Sequence, residues 1–284
     1  MVSAAERREV AKTLKEDYKF SIDQACTATG LSRASWYRQP SNPKADEVLI
    51  QALNALMERF PRWGFWKCFD RLCLDGHTWN HKRVWRVYCE MGLNLPRRKK
   101  RILLERERQP LEVMPIVNAS WAMDFMHDVL YGGKRFRTLN ILDEGVRECL
   151  DIEIDTSLPA SRVVQVLDRI SEWRGYPKQL RMDNGPELIS EKLIQWCEQH
   201  HVKMIHIQPG KPNQNAYIER FNRSFRYEVL DAHLFNSLTQ VRDIAEAWRI
   251  DYNELRPHDA LNGMTPTAFR EQSFARNSSL ELST

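Results

Sequence analysis

The chain has 284 residues and a formal net charge of +4, and its hydrophobic (42%) and charged (28%) fractions are those of globular proteins. No stretch approaches the roughly 18 consecutive apolar residues of a membrane span, and the first residues do not resemble a secretory signal. We therefore expect a cytoplasmic protein of two or three domains that is neither disordered nor inserted in a membrane.

Charge is divided unevenly along the chain. Residues 1–110 contain 22 Lys and Arg against 13 Asp and Glu, whereas the remainder contains 20 against 25. A basic front half joined to an acidic back half indicates a nucleic-acid-binding part attached to a part that concentrates carboxylates.

The first 40 residues have the pattern of a helix-turn-helix unit. In SIDQACTATGLSRASWYR, Ser21 and Ser32 are suitable helix N-caps and Gly30 breaks the chain between them. Arg33 and Arg38 lie on or beside the second of these helices, where they could contact DNA. An ordinary three-helix packing unit would show a similar pattern.

A second helical unit is predicted over residues 44–96. Asn80 opens a helix that carries the candidate DNA contacts Lys82, Arg83 and Arg86. Four tryptophans interleaved with basic residues are predicted to belong to its core: Trp63, Trp66, Trp79 and Trp85. A Cys and His pattern in the same segment has the wrong spacing for a zinc finger and is interpreted as accidental.

Five adjacent cations follow this unit and form a predicted linker over residues 97–114. They are candidates for contact with DNA phosphates, although a solvated linker would look the same: Arg97, Arg98, Lys99, Lys100 and Arg101.

Beyond Pro110 the pattern changes to mixed α/β, with elements in the order βββαβαβ followed by further helices. Three acidic residues occupy informative positions in it. Asp124 lies within the first strand, Asp183 ends the fourth, and Glu219 begins a helix. Because strand ends in a mixed sheet share one crevice, we expect these carboxylates to converge there around a cation that prefers oxygen ligands, Mg²⁺ or Mn²⁺.

The helix that carries Glu219 has an apolar stripe, which consists of Ile218, Phe221, Phe225 and Val229. Glu219 lies on a different face, together with Arg223 and Arg226. A solvated Glu–Arg pair would give the same spacing, and Asp183-Asn184-Gly185 is also an ordinary turn sequence, so these local patterns leave both interpretations open.

These residues resemble the bacterial insertion-sequence transposases of the D,D(35)E group, whose catalytic core is similar to that of retroviral integrases. The spacing between Asp183 and Glu219 is 35 residues, and four stretches match that core in order: WAMDFMHDVLYGGKRFRTLNILDE, RMDNGPEL, PGKPNQNAYIERFNRSFRYEVL and DYNELRPHDALNGMTP. The front helices, including HKRVWRVYCEMGL, resemble the DNA-binding part of the second-reading-frame transposase protein of the group.

The resemblance implies an RNase H-like catalytic core over residues 115–235, preceded by all-α DNA-binding units and followed by a C-terminal helix and tail over 236–284. It implies two-metal phosphoryl transfer in which Asp124 bridges both ions, Asp183 holds one and Glu219 the other. Lys211, Arg223 and Arg226 become candidates for contact with the scissile DNA backbone. Implied partners are double-stranded DNA, further copies of the chain, and an upstream-frame protein or frameshift fusion.

Two alternatives remain open at the level of sequence: a DNA-binding regulator with an inactive core, and an RNase H-like nuclease that only hydrolyses. Asp128 and Asp143 serve as comparison carboxylates, and we expect their loss to have mild effects.

Overall fold

The structure is a computed structural model that describes residues 4–37, 46–96, 115–185, 187–207 and 215–281. The chain forms two compact units, Met1–Glu58 and Arg59–Thr284. The second unit contains the sheet together with two helices that the sequence pattern assigned to a separate helical unit. The five-part division predicted from sequence stays a prediction.

The helices of the first unit begin where the sequence predicts. They are α1 (Ala4–Glu16), α2 (Ile22–Thr29), α3 (Arg33–Tyr37) and α4 (Glu47–Arg59), the last of which ends at the boundary. Ser21 caps α2 in a capping box with Gln24, and Gly30 follows the helix in the left-handed conformation, with φ of 63°. A small core of Ala11, Ala25, Cys26 and Leu31 joins the first three helices.

The second unit begins with a helical hairpin, α5 (Phe65–Leu74) and α6 (His81–Glu90). The Asn80 side chain accepts a hydrogen bond from the Lys82 amide at 2.9 Å, which confirms the predicted start of α6. The prediction that all four tryptophans belong to the core is wrong. Trp63 is buried, but Trp66 and Trp85 are 61% and 45% exposed, because the preceding residues, Phe65 and Val84, occupy the core side of their helices.

A five-stranded mixed sheet follows, in the spatial order β3-β2-β1-β4-β5. Its strands are β1 (Trp121–Val129), β2 (Arg135–Asp143), β3 (Glu148–Asp155), β4 (Gln179–Met182) and β5 (Lys203–His206). The first three strands form an antiparallel meander, and β4 and β5 extend it in parallel from β1. This is the mixed sheet that the element order predicted.

Helices cover both faces of the sheet. They are α7 (Ala160–Arg174), α8 (Glu191–Gln199), α9 (Ala216–Glu228), α10 (Leu238–Glu254) and α11 (Pro266–Glu281). On one face, Trp121 and Met123 pack with α7 and α8; on the other, Ala122 and Met126 pack with α9 and α10. This alternation follows from the two-residue period of a strand. Among the residues described, every helix is too short or too polar to cross a bilayer.

Candidate active site

Asp124 and Asp183 lie on neighbouring parallel strands. Trp121 pairs with Leu180 and Ala122 with Arg181, so continuing this register by two residues brings Asp124 beside Asp183, just after β4 ends. Asp124 alternates with Met123 and therefore faces α9 and α10, as Ala122 does. The two aspartates thus share one face at the carboxyl end of β4.

Buried amides hold the Asp124 side chain. Asn222 of α9 donates from Nδ2 to Asp124 Oδ2 at 2.8 Å. Asn140, which lies opposite Asp124 on β2, donates from its own Nδ2 to Asn222 Oδ1 at 2.6 Å. The second oxygen, Oδ1, accepts the Phe125 amide at 2.8 Å. The orientation of the carboxylate is consequently set by protein groups alone.

The pKa of Asp124 is raised to about 6, first because the carboxyl group is largely removed from water and then because the negative charge of Asp183 is near. Glu219 raises it further by a smaller amount, whereas the hydrogen bonds from Phe125 and Asn222 lower it. Asp183 and Glu219 are therefore both close enough to Asp124 to act on it electrostatically.

Asp183 belongs to a tightly folded segment. Its Oδ1 atom accepts the Gly185 amide at 2.9 Å, and its backbone carbonyl oxygen lies 3.4 Å from His206 Nδ1 at the end of β5. A Cβ atom added at Gly185 would lie 3.0 Å from Asp183 Oδ1, closer than side chains normally approach. A larger residue here would require the Asp183 carboxylate to shift by a few tenths of an ångström.

Glu219 is exposed in the first turn of α9. The apolar stripe predicted for this helix is confirmed, because Ile218, Phe221, Phe225 and Val229 are all at most 1% exposed. The stripe packs against the face of the sheet that carries Asp124 and leaves Glu219 outside the core. The position of Glu219 is thus set by the packing of Ile218, one residue before it, and of Phe221, two residues after it.

Sequence reasoning missed Asn222. At 100° per residue, it lies about 55° from the centre of the apolar stripe of α9, and it is only 8% exposed. A polar residue on the apolar face of a helix requires a buried partner, which was a signal available from the sequence.

The donor set at this site fits a divalent cation. Asp124 carries a raised pKa because its negative charge is shielded from water and faces a second carboxylate, and a bound cation would relieve both effects. Within the described residues, no three Asp, Glu, His or Cys side chains converge closely enough to enclose a metal. The three acids are therefore neighbours, but their carboxylates do not surround a common point.

The predicted DNA-contacting residues occupy several places. Arg33 is exposed at the start of α3, 3.6 Å from Asp23. On α6, Lys82 is exposed, Arg83 is half-buried, and Arg86 forms an ion pair with Glu90 at 3.0 Å. Arg38, the run from Arg97 through Arg101, and Lys211 lie outside the described residues.

On α9, Arg223 is exposed one turn after Glu219, but Arg226 is engaged within the protein. Arg226 donates to the His127 carbonyl at 2.8 Å and lies 3.3 Å from Asp128. Contact between Arg226 and DNA would have to compete with these bonds. The ion pair with Arg226 accounts for the position of the Asp128 side chain.

Asp143, the other comparison carboxylate, is a structural residue. It is fully buried and accepts hydrogen bonds from the Asn118 amide at 2.9 Å and from Arg174 at 3.0 Å. Its loss would leave buried donors unpaired, which costs about 1–3 kcal/mol each. The expected mild effect on cleavage and joining stays a prediction for Asp143, but the structure adds an expected loss of stability.

Comparison with known proteins identifies the class. Integrase core domain families match residues 115–212 and 200–266, and an HTH-like domain family matches residues 44–101. The chain is 40% identical to an uncharacterized 31.7 kDa protein of insertion element IS407 from Burkholderia multivorans, over 90% of this chain and 92% of that protein. It is 38% identical to a 39.2 kDa protein of insertion element IS476 from Xanthomonas euvesicatoria, over 93% and 76%.

A more distant relative is the putative transposase InsK of insertion sequence element IS150 from Escherichia coli, 21% identical over 93% of this chain and 98% of that protein. Among solved structures, a chain of the simian T-cell lymphotropic virus intasome, determined with the PP2A regulatory subunit B56 gamma, has a similar fold. The TM-score is 0.50 at 15% identity, covering 77% of this chain and 74% of that one.

The mixed sheet and its helices are therefore an RNase H-like integrase core. The chain belongs to the family of insertion-sequence transposase-like proteins with an integrase core and an HTH-like region, proteins of DNA transposition and integration.

Proposed function

We propose that this protein is a DNA transposase that cleaves and joins strands at the ends of a mobile element. The observation that carries the proposal is the placement of Asp124 and Asp183 on adjacent strands of one sheet face, with Glu219 on the helix packed over that face. A regulator with an inactive core would not require a buried carboxylate such as that of Asp124, whose pKa is raised.

Asp124, Asp183 and Glu219 would hold Mg²⁺ or Mn²⁺ through their carboxylate oxygens. Two ions bound there would supply an activated water or DNA 3′-OH as nucleophile and stabilise the oxygen that leaves. The protein's own part is to orient Asp124 through Asn222 and to keep Asp183 beside it through the Gly185 turn. Glu219, which lies on the exposed face of α9, would supply its carboxylate from the side on which DNA binds.

Double-stranded DNA is the proposed partner, both as element end and as target. Arg33, Lys82 and Arg83 contact it from the helical regions, and Arg223 contacts the scissile backbone beside Glu219. The same role is proposed for the basic run from Arg97 to Arg101. Joining two element ends requires at least two copies of the chain on the DNA, and an upstream-frame protein or frameshift fusion is a further proposed partner.

The test is a strand-transfer assay with the full chain and labelled duplexes that carry the ends of its own element. Mg²⁺ or Mn²⁺ should support cleavage and joining, and excess EDTA should stop both. Asp124→Ala, Asp183→Ala and Glu219→Ala should each abolish both steps while DNA binding persists, because each removes a metal ligand and no basic residue.

Asp128→Ala is the matched control, since it removes a carboxylate of the same strand that pairs with Arg226. Its activity should stay within a few-fold of wild type. Cleavage without joining would identify a hydrolytic nuclease, and DNA binding without either step would identify a regulator. Joining by one of the three alanine variants would remove that residue from the site.

A further inference from the structure

The segment that carries Asp183 crosses from one face of the sheet to the other. Asp183 faces α9, whereas Leu188, five residues later, is fully buried among the side chains of α7 and α8. Between them, Gly185 folds the segment back, because its carbonyl accepts the amides of Leu188 and Ile189 at 2.9 and 3.1 Å. The segment therefore wraps around the end of β4.

An ion pair holds the far side of this segment. Glu187 pairs with the guanidinium of Arg137 on β2, and both side chains are only 22% exposed. Arg137 also lies over the ring of Phe125, with its Cζ atom 4.2 Å from the ring centroid. The hydrogen bond from Arg137 holds the pKa of Glu187 below its usual value. Through Arg137, Glu187 is thus held near Phe125, the residue that follows Asp124.

We propose that the Arg137–Glu187 pair is a positioning latch, which holds the segment after β4 so that the Asp183 carboxylate stays beside Asp124. The inference rests on the proposed function, because it gives the pair a role toward the same site. The pair acts through two hydrogen bonds, one from the Leu188 amide to the Gly185 carbonyl and one from the Gly185 amide to Asp183 Oδ1.

The tight turn at Gly185 makes this coupling direct. The Gly185 amide binds Asp183 Oδ1 at 2.9 Å, and the Gly185 carbonyl accepts the amide of Leu188, the residue after Glu187, at 2.9 Å. Movement of Glu187 should therefore reach the Asp183 carboxylate through these two hydrogen bonds. An ion pair without such coupling would contribute little and would leave the Asp183 carboxylate unaffected.

The test compares the full chain with Glu187→Gln and Arg137→Gln. In the metal-free proteins, amide hydrogen exchange over residues 183–190 should become several-fold faster in both variants. Mn²⁺ affinity measured by calorimetry should fall about tenfold, at the lower end of the effect of groups that orient metal ligands. The Mg²⁺ concentration for half-maximal strand transfer should rise accordingly, with activity recovering at high Mg²⁺.

Glu246→Gln is the matched control. It removes a carboxylate that pairs with Arg249 at 2.7 Å on α10, away from the segment, and should leave exchange over 183–190 and Mn²⁺ affinity unchanged. Arg137→Lys, which keeps the charge but loses the guanidinium geometry, should recover part of both effects.

Unchanged exchange over residues 183–190 in Glu187→Gln would overturn the latch, whatever the Mn²⁺ affinity. Failure of the wild-type chain to bind Mn²⁺ or to join DNA would instead count against the proposed function. The exchange measurement needs neither metal nor DNA, so it decides on the latch in either case.

Discussion

Asn222 connects the helix that carries Glu219 to the strand that carries Asp124. Its amide group donates to Asp124 Oδ2 and accepts from Asn140, and all three side chains are wholly or largely enclosed. A hydrogen-bond chain of this kind sets a carboxylate orientation that water would otherwise leave free.

We expect Asn222→Ala to weaken both folding and catalysis. The change removes the oxygen acceptor of the buried Asn140 Nδ2 and leaves it only the weak acceptor Met126 Sδ, so the free energy of unfolding should fall by about 1–3 kcal/mol. Strand transfer should slow about tenfold, the smaller end of the range for groups that orient metal ligands. Urea unfolding and strand-transfer rates measure the two effects.

Ser224→Ala, a half-buried change on the same helix, serves as the control and should have little effect on either quantity. If Asn222→Ala joined DNA at the wild-type rate, Asp124 would not depend on this amide for its orientation.

At the scale of elements, the connection around Arg256 and His258 ties three helices together within the second unit. Arg256 forms a buried ion pair with Glu228 at the end of α9, and its guanidinium lies 5.9 Å from the ring of Trp63. His258 packs its ring edge-on against Tyr252 of α10 at 4.9 Å. Arg71 of α5 also donates to the Leu255 carbonyl at 3.2 Å, so the region joins α5 to α9, the helix that carries Glu219.

His258 predicts a pH dependence of stability. Burial, together with the charges of Arg256, Lys67 and Arg220, lowers its pKa to about 3, whereas an unfolded chain has a histidine pKa near 6.5. The unfolded state therefore binds more protons below pH 6.5, and the stability that depends on neutral His258 is present above that pH and lost as the pH falls toward 3. Between pH 7 and pH 5 the loss should be about 2 kcal/mol.

Urea unfolding at both pH values tests this expectation with His258→Asn, which cannot take up the proton. Between pH 7 and pH 5 the free energy of unfolding should fall less in this variant than in wild type. This comparison holds even if the substitution itself destabilises the protein at pH 7. The exposed His201, changed to Asn, should keep the wild-type slope. Equal slopes for wild type and His258→Asn would show that His258 does not titrate in this way.

Over the whole molecule, the positive charge is concentrated in one segment. Residues 59–110 contain 14 Lys and Arg against 5 Asp and Glu, whereas residues 1–58 contain 8 of each. Most of the counterion release on DNA binding should therefore come from the later segment, including α6, and little from the first helical unit.

Lys82→Gln in the full chain should weaken binding to any duplex sequence and reduce the slope of log affinity against log salt by about 1. Binding titrations between low and physiological salt measure that slope. Lys12→Gln, an exposed change on α1, should leave it unaltered. A larger effect of Lys12→Gln would place the main phosphate contacts in the first unit.

Most elements were predictable from sequence because their signals are local. Strand alternation and the apolar stripe of α9 act within a few residues, and caps such as Ser21 and Asn80 bond their own helix. Helix α11 was missed because polar side chains occupy most of its positions and leave no apolar stripe to recognise. The resemblance to the D,D(35)E transposases identified the candidate acids Asp124, Asp183 and Glu219.

The sequence by itself determined the class of fold, the three candidate carboxylates and the chemistry expected of them. Tertiary structure alone decided which side chains meet. Strand order places Asp124 beside Asp183, helix packing turns Asn222 toward Asp124, and the segment around β4 brings Glu187 to Arg137. It also left Trp66 and Trp85 exposed. The reason is physical: burial and pairing depend on contacts between residues far apart in sequence, which no local pattern records.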